Sequence, residues 1–171
     1  GMLTNPVLGS GTGLDYAELD PEFIVRVGDG DNIKNLSYSQ DGGFTWTEAV
    51  SEPVDLNRGG NVAVAADGSA IVWSPGVAVV YSINRGRCWL PCGGVPVGAV
   101  VESDRVNPDT FYAYAGGNFY RSKDGGATFT TTLSAGWPVT ATAKFKAVPG
   151  IAGDIGLAGG NDDTVYGLWH S

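Results

Sequence analysis

The chain has 171 residues, of which 27 are glycine, 43% are hydrophobic and 16% are charged. Such a mixture suits many short strands with tight turns and excludes a disordered chain. Ten basic against eighteen acidic residues give a net charge of −8 and a pI near 4.4, which argues against a nucleic-acid partner and suits a neutral polymer. No segment keeps a helical period and no apolar run approaches membrane-spanning length, so no membrane partner is expected.

Gly1-Met2 reads as a tag scar followed by a start residue, with no signal peptide after it, so the sequence itself names no compartment. Four units then follow, each a run of short strands. The first places strands at 14–19, 23–28, 36–40 and 45–49 and carries the octet Ser39-Gln-Asp-Gly-Gly-Phe-Thr-Trp46. The second places them at 61–65, 70–74, 78–82 and 88–90, around a worn octet, Ser82-Ile-Asn-Arg-Gly-Arg-Cys-Trp89. It also holds the only cysteines, Cys88 and Cys92. Four residues of extended strand span about 13 Å, too far for a disulfide unless the chain bends at Pro91, so free thiols are expected. Two cysteines alone make a poor metal site, and neither a metal nor a cofactor is expected. The third unit has strands at 99–103, 111–115, 118–122 and 128–133 and the octet Ser122-Lys-Asp-Gly-Gly-Ala-Thr-Phe129. The fourth offers strands at 143–148, 155–158 and 165–171, ending on the serine where the next octet is due.

The octet has its own physical logic. Its Asp side chain accepts backbone N–H bonds across the bend, its glycine pair permits positive φ, and its last aromatic opens the next strand and packs between sheets. Ser39, Asp41, Gly43 and Trp46, then Ser82, Asn84, Gly86 and Trp89, then Ser122, Asp124, Gly126 and Phe129 are therefore read as structural. Asn84 still suits the turn bond. Trp46, Trp89 and Phe129 are expected in the core, as are the strand residues Trp73 and Trp169. His170 reads as a further strand residue.

The octet serines are 43, 40 and 49 residues apart, counting Ser171 as the last. A period of that size filled with short strands marks a β-propeller. The first-to-second connections, Asp20-Pro-Glu22, Asp67-Gly-Ser69, Asn107-Pro-Asp109 and Pro149-Gly150, are turn signals at equivalent places. The expected fold is all-β: one partial propeller over residues 1–171, with four-stranded antiparallel blades near 14–50, 61–92 and 98–133, and most of a fourth at 141–171. Open blade edges suit self-association.

The octet resembles the Asp-box hairpin of sialidases, sortilin-type receptors and several glycoside hydrolases. Other stretches go further. Leu14-Asp-Tyr-Ala-Glu-Leu-Asp-Pro-Glu-Phe-Ile-Val-Arg-Val-Gly28 resembles the xyloglucanases of glycoside hydrolase family 74. So do Val62-Ala-Val-Ala-Ala-Asp-Gly-Ser-Ala-Ile-Val-Trp73, Ser103-Asp-Arg-Val-Asn-Pro108, Phe111-Tyr-Ala-Tyr114 and Ala147-Val-Pro-Gly150, in order along the chain. The resemblance implies part of the second of two facing seven-bladed propellers, an extracellular or periplasmic setting, and action on xyloglucan or a related β-glucan. It also implies inverting hydrolysis by two aspartates from opposite propellers. One belongs to the absent first propeller. The other sits in a Gly-Asp-Ile-Gly-Gly-Phe-like motif that nothing in 2–13 matches. Gly153-Asp-Ile-Gly156 looks similar but continues Leu157-Ala-Gly-Gly160, so Asp154 is read as a strand opener and no catalytic residue is assigned.

Propeller geometry puts the octets and first-to-second turns on one face. The second-to-third loops and the links between blades lie on the other, where ligands usually bind. Candidate substrate contacts there are Asp29, Asp31, Asn32, Asn57, Arg58, Trp137, Asp162 and Asp163, with Asp55 beside them. Two readings stand for Trp137: stacking on a glucose ring, or plugging the wedge between blades three and four. Asp29-Gly-Asp-Asn32 resembles part of a calcium loop but lacks the distal Glu, and reads as a solvated hairpin. Arg58 either pairs with a neighbouring Asp or binds sugar hydroxyls. The alternative function is a non-catalytic glycan-binding or protein-interaction propeller. A sialidase is disfavoured because the Phe/Tyr-Arg-Ile-Pro segment and arginine cluster are missing.

Overall fold

The computed structural model describes residues 11–28, 35–53, 59–134, 142–161 and 164–170. Among these, fifteen strands form four antiparallel sheets. The first sheet holds β1 (Gly11–Ala17), β2 (Asp20–Gly28), β3 (Leu36–Ser39) and β4 (Thr47–Glu48). The second holds β5 (Asn61–Val64), β6 (Ile71–Ser74), β7 (Val80–Ser82) and β8 (Leu90–Pro91). The third holds β9 (Val100–Ser103), β10 (Phe111–Ala115), β11 (Asn118–Ser122) and β12 (Thr130–Ser134). The fourth holds β13 (Thr142–Ala147), β14 (Ile155–Asn161) and β15 (Thr164–His170). Spatial order equals chain order in every sheet, the meander of a propeller blade.

Each octet is wired alike. The serine Oγ accepts the amide of the second glycine position at 2.8, 2.9 and 3.0 Å in Gly43, Gly86 and Gly126. It donates in turn to the Asx side chain, at 2.7 Å to Asp41 and Asp124 and 3.0 Å to Asn84. Asp41 then accepts the amide and hydroxyl of Thr45, and Asp124 those of Thr128. Asn84 keeps the turn bond, taking the Cys88 amide at 2.9 Å, but Cys88 brings no hydroxyl. Because these amides are committed to the turn, β4, β8 and β12 begin two residues later than the sequence pattern suggests. The bonds from Thr45 and then Ser39 hold Asp41 below its ordinary pKa. Burial opposes ionisation of Asp124, but donors from Thr128 and Ser122 outweigh it and lower its pKa as well.

The Gly42 amide donates to Glu22 O and the Gly125 amide to Asp109 O, both at 3.0 Å, which puts octets and first-to-second turns on one face.

The core lies between sheets. Phe23, Val25, Val27 and Leu36 of the first pack against Val62, Val64, Ile71 and Trp73 of the second. Ala63, Val72 and Val79 meet Val101, Phe111, Ala113 and Phe129 of the third, and Tyr112, Tyr114 and Phe119 meet Ile155 of the fourth. Burying each large apolar side chain contributes about 1.5–3 kcal/mol. Strand β6, covered on both faces, is buried throughout. Strand β2 is not: Ile24 and Arg26 are half-buried, because no described sheet covers that side of the first blade. For the same reason Trp46 departs from the expected core position. It is half-buried, with the Arg26 guanidinium 4.0 Å from its ring centroid. Trp89 is also half-buried, but packs against Trp73 with ring centroids 5.4 Å apart.

The first strands β1, β5, β9 and β13 lie side by side along the inner edge. A chain of polar bonds ties them. Asp15 Oδ2 accepts the Val64 amide at 2.7 Å, and Asn61 Oδ1 accepts the Val101 amide at 2.5 Å. Arg105 donates to Asp15 Oδ1 and Glu102 Oε1, both at 2.7 Å, and to Tyr16 O at 2.9 Å. Lys146 Nζ reaches Glu102 Oε2 at 2.7 Å. All four carboxylate oxygens are thus used. Burial, then repulsion from Asp15, raises the Glu102 pKa despite the two cations, whereas the carboxylates outweigh burial and keep Arg105 firmly protonated. Nearby, buried Asp104 accepts the amides of Val106, Asn107 and Gly153 and the Tyr112 hydroxyl, which overcome burial and lower its pKa.

Three outcomes follow for stability, each read by urea unfolding. A Cβ at Gly126 would lie 2.3 Å from Val72 Cγ2, whereas one at Gly42 meets nothing within 4 Å. Both sit at positive φ. Gly42→Ala is expected to cost about 1–2 kcal/mol, and Gly126→Ala a further ~1–3 kcal/mol from overpacking; equal losses would refute the contact. Arg105→Met removes the cation that two buried carboxylates share, leaving Asp15 without an ionic partner and Glu102 with Lys146 alone, and should cost about 3–5 kcal/mol at neutral pH. That deficit should shrink as pH falls through the raised Glu102 pKa, where protonation removes one of the two negative charges that Arg105 offset. Asp104, with its lowered pKa, contributes stability that is present above the unfolded carboxylate pKa and lost as pH falls through the folded one. Asp104→Asn should therefore cost about 1–3 kcal/mol at neutral pH and flatten the acid limb of the stability profile.

Candidate functional site

The β2–β3 and β14–β15 connections and the links β4–β5 and β12–β13 emerge at the ends of the blades opposite the octets. The eight candidate residues all belong to these connections. Asp29, Asp31 and Asn32 fall between Gly28 and Asn35, and Asn57 and Arg58, with Asp55, between Pro53 and Gly59. Trp137 falls between Ser134 and Thr142, and Asp162 and Asp163 between Asn161 and Thr164. All lie outside the described residues, as does the calcium-like stretch, and so does the packing expected of the Trp169 side chain.

The described residues show how the frame beneath them is held. The Gly28 amide donates to Asn35 O at 2.8 Å, closing the base of the β2–β3 connection. Glu52 accepts the Leu36 amide at 2.9 Å and Asn35 Nδ2 at 3.3 Å, so the first link is pinned against that same base. The link's far end is fixed by Trp73, whose Nε1 donates to Gly59 O at 2.6 Å. Gly60, at φ 69°, would place a Cβ 2.0 Å from Ser74 O, so only glycine lets the link approach β6 this closely. These bonds hold the start of the first link to the base of the β2–β3 connection, and the link's far end to β6.

On the opposite face, Asp154 is buried in the β13–β14 turn, immediately before β14. Its carbonyl accepts the Val148 amide at 2.9 Å. Cys88 and Cys92 are free, and burial, then Asp124, pushes the Cys92 thiol up to about 12, which leaves it protonated and unreactive.

Sequence reading missed the inner charges Asp15, Glu102, Arg105 and Lys146, and the four-donor role of Asp104. One signal was present: a single carboxylate among the apolar residues of each of β1 and β9, at positions where a strand faces its neighbour. Strand periodicity alone does not say that an arginine three residues on folds back to meet both.

A scan against protein-family models finds no match. Curated proteins do match. The chain is 45% identical over 99% of its length to a xyloglucanase of a Paenibacillus species, and 44% identical over 90% to the xyloglucanase Xgh74A of Acetivibrio thermocellus. It spans only 17% and 18% of those proteins. Among solved structures, the family 74 enzyme of Niastella koreensis superposes with a TM-score of 0.82 at 28% identity, covering 98% of this chain and 23% of that one. The family 74 xyloglucanase of Xanthomonas campestris gives 0.79 at 28% identity, covering 95% and 26%. YCF48 from Cyanidioschyzon merolae, at 16% identity and a TM-score of 0.55 over 91% of this chain and 54% of that one, shares the fold alone. Sequence and fold together make this chain a homologue, over essentially its whole length, of a portion of the glycoside hydrolase family 74 xyloglucanases.

Proposed function

We propose that this chain forms one wall of a cleft for the β-1,4-glucan backbone of xyloglucan, and holds it without cleaving it unaided. The observation that carries this reading is the 45% identity to a xyloglucanase over 99% of the chain. The shared placement of all eight candidates in connections at one end of the blades supports it.

The chemistry suits a neutral polysaccharide. Trp137 offers a flat ring to the apolar face of a glucose unit. Asp29, Asp31, Asp162 and Asp163 accept hydroxyl hydrogens, Asn32 and Asn57 both donate and accept, and Arg58 donates. Inverting cleavage needs an acid and a base held far enough apart to admit a water. Resemblance to the family assigns the base to another propeller and the acid to a motif this sequence does not contain. Asp15 and Glu102, the buried inner carboxylates, have all four oxygens committed to partners and are unsuited to either role.

Calorimetric titration with a xyloglucan oligosaccharide, followed by assay of the cell contents for new reducing ends, tests this. The expected result is saturable binding, no new reducing ends, and at least tenfold weaker binding by Trp137→Ala, a loss of about 1.4 kcal/mol. Absence of binding would overturn the cleft reading in favour of a protein-interaction propeller. Cleavage would overturn the assignment of catalysis to other parts of the protein and direct attention to Asp154.

A further inference from the structure

The worn octet differs from its two companions in a directed way. Where they carry Asp41 and Asp124, it has neutral Asn84. Where they carry Gly42 and Gly125, it has Arg85, and where they carry Phe44 and Ala127, it has Arg87. One hairpin thus loses a negative charge and gains two positive ones, in a protein of net charge −8. Hydrogen-bond economy does not require this, because the Ser82 and Asn84 bonds reproduce the turn unaided.

Arg85 stands at φ 57°, the one non-glycine residue at positive φ among the described residues. Its counterparts are glycines at 68° and 71°. A side chain at this angle is strained, and such strain persists where the side chain has a use. The guanidinium lies 5.0 Å from the Phe23 ring centroid, reaching across to the first blade. In the first and third blades the equivalent glycine amide is bonded to the first-to-second turn, but the Arg85 amide makes no such bond. Between the hairpin and that turn lies a groove of about 460 Å³, lined by Tyr38, Gln40, Asp67, Ser69, Ile83, Asn84, Arg85 and Arg87. Neither arginine has a carboxylate within ion-pair distance among the described residues.

We propose that this groove, on the face opposite the candidate glucan cleft, binds a carboxylate-bearing sugar, a hexuronic acid unit of an acidic glycan. Guanidinium groups match a carboxylate in a planar, bidentate fashion. Gln40 and Ser69 suit ring hydroxyls as donors and acceptors, Asp67 as an acceptor, and Tyr38 and Ile83 offer apolar surface for a sugar face. Asp67 and the overall negative charge disfavour closely spaced negative charges, so one carboxylate per polyhydroxylated ring fits better than an acidic peptide. The proposal stands apart from the xyloglucan reading, since it uses none of the same residues.

The test is titration of the full chain with trigalacturonate at 150 mM salt, where attraction between exposed charges more than about 8 Å apart is largely screened and contact pairing remains. Its methyl ester, inorganic phosphate and a tri-glutamate peptide serve as the other arms. Expected are saturable binding of trigalacturonate, at least tenfold weaker binding of the methyl ester, and at least fivefold losses in Arg85→Gly and Arg87→Gln. Arg85→Gly should at the same time raise the urea midpoint, because it relieves the strained φ. This combination of weaker binding and greater stability distinguishes a lost contact from a damaged fold. Four results would overturn the proposal: no saturable trigalacturonate binding, equal affinity for the methyl ester, unchanged affinity in both variants, or phosphate or the peptide binding as tightly as the trisaccharide.

Discussion

Every blade in this protein depends on a neighbour to cover its faces. Each sheet carries apolar residues on faces that only an adjoining blade buries. The octet aromatic makes the dependence visible. In the third blade Phe129 packs on the second blade and is buried. In the second, Trp89 leans on Trp73 and stays half-covered. In the first, Trp46 has no described sheet beside it and is capped by Arg26 from its own sheet. One sequence position thus takes three environments, set by what lies next to it. Stability in such an array is mostly a sum of interface terms.

Most of the fold was legible because its punctuation is local. A serine, an Asx residue and a glycine close their turn within five residues, by bonds that need nothing from the rest of the chain. Three copies at a near-constant spacing then fix strand order and blade number together. What depends on distant partners was not legible. Asp15 and Arg105 are ninety positions apart and nonetheless share one of the shortest ion pairs in the molecule. Arg26 reads as a central-strand residue but lies, half-buried, on a face that no described sheet covers. The start of β4, β8 and β12 was misplaced for a physical reason: the octet keeps two residues that strand propensity would have claimed. The candidate glucan contacts all fall in connections outside the described residues.

The two faces carry different chemistry because they are built differently. On the octet face, short turns are saturated with internal bonds, and Asp41 and Asp124 spend their charge on their own hairpins. Such carboxylates have little left to offer a ligand. The second octet escapes this because Asn84 holds the turn without a charge, which leaves Arg85 and Arg87 unneutralised. On the other face the links must cross from one sheet to the next.

The inner bonds do something that the cores between blades do not. Apolar contact is non-directional. The faces made by Ala63, Val72, Val101 and Ala113 set how far apart two sheets sit, but tolerate one sliding along the other. Hydrogen bonds weaken steeply when misaligned. Asp15 can receive the Val64 amide and Arg105 together only if β1 stands at one height relative to both β5 and β9. Glu102 imposes the same condition on β13 through Lys146. The polar chain therefore fixes the stagger of four sheets whose spacing the apolar cores have already set. That stagger in turn decides whether connections leaving separate blades meet on a common face.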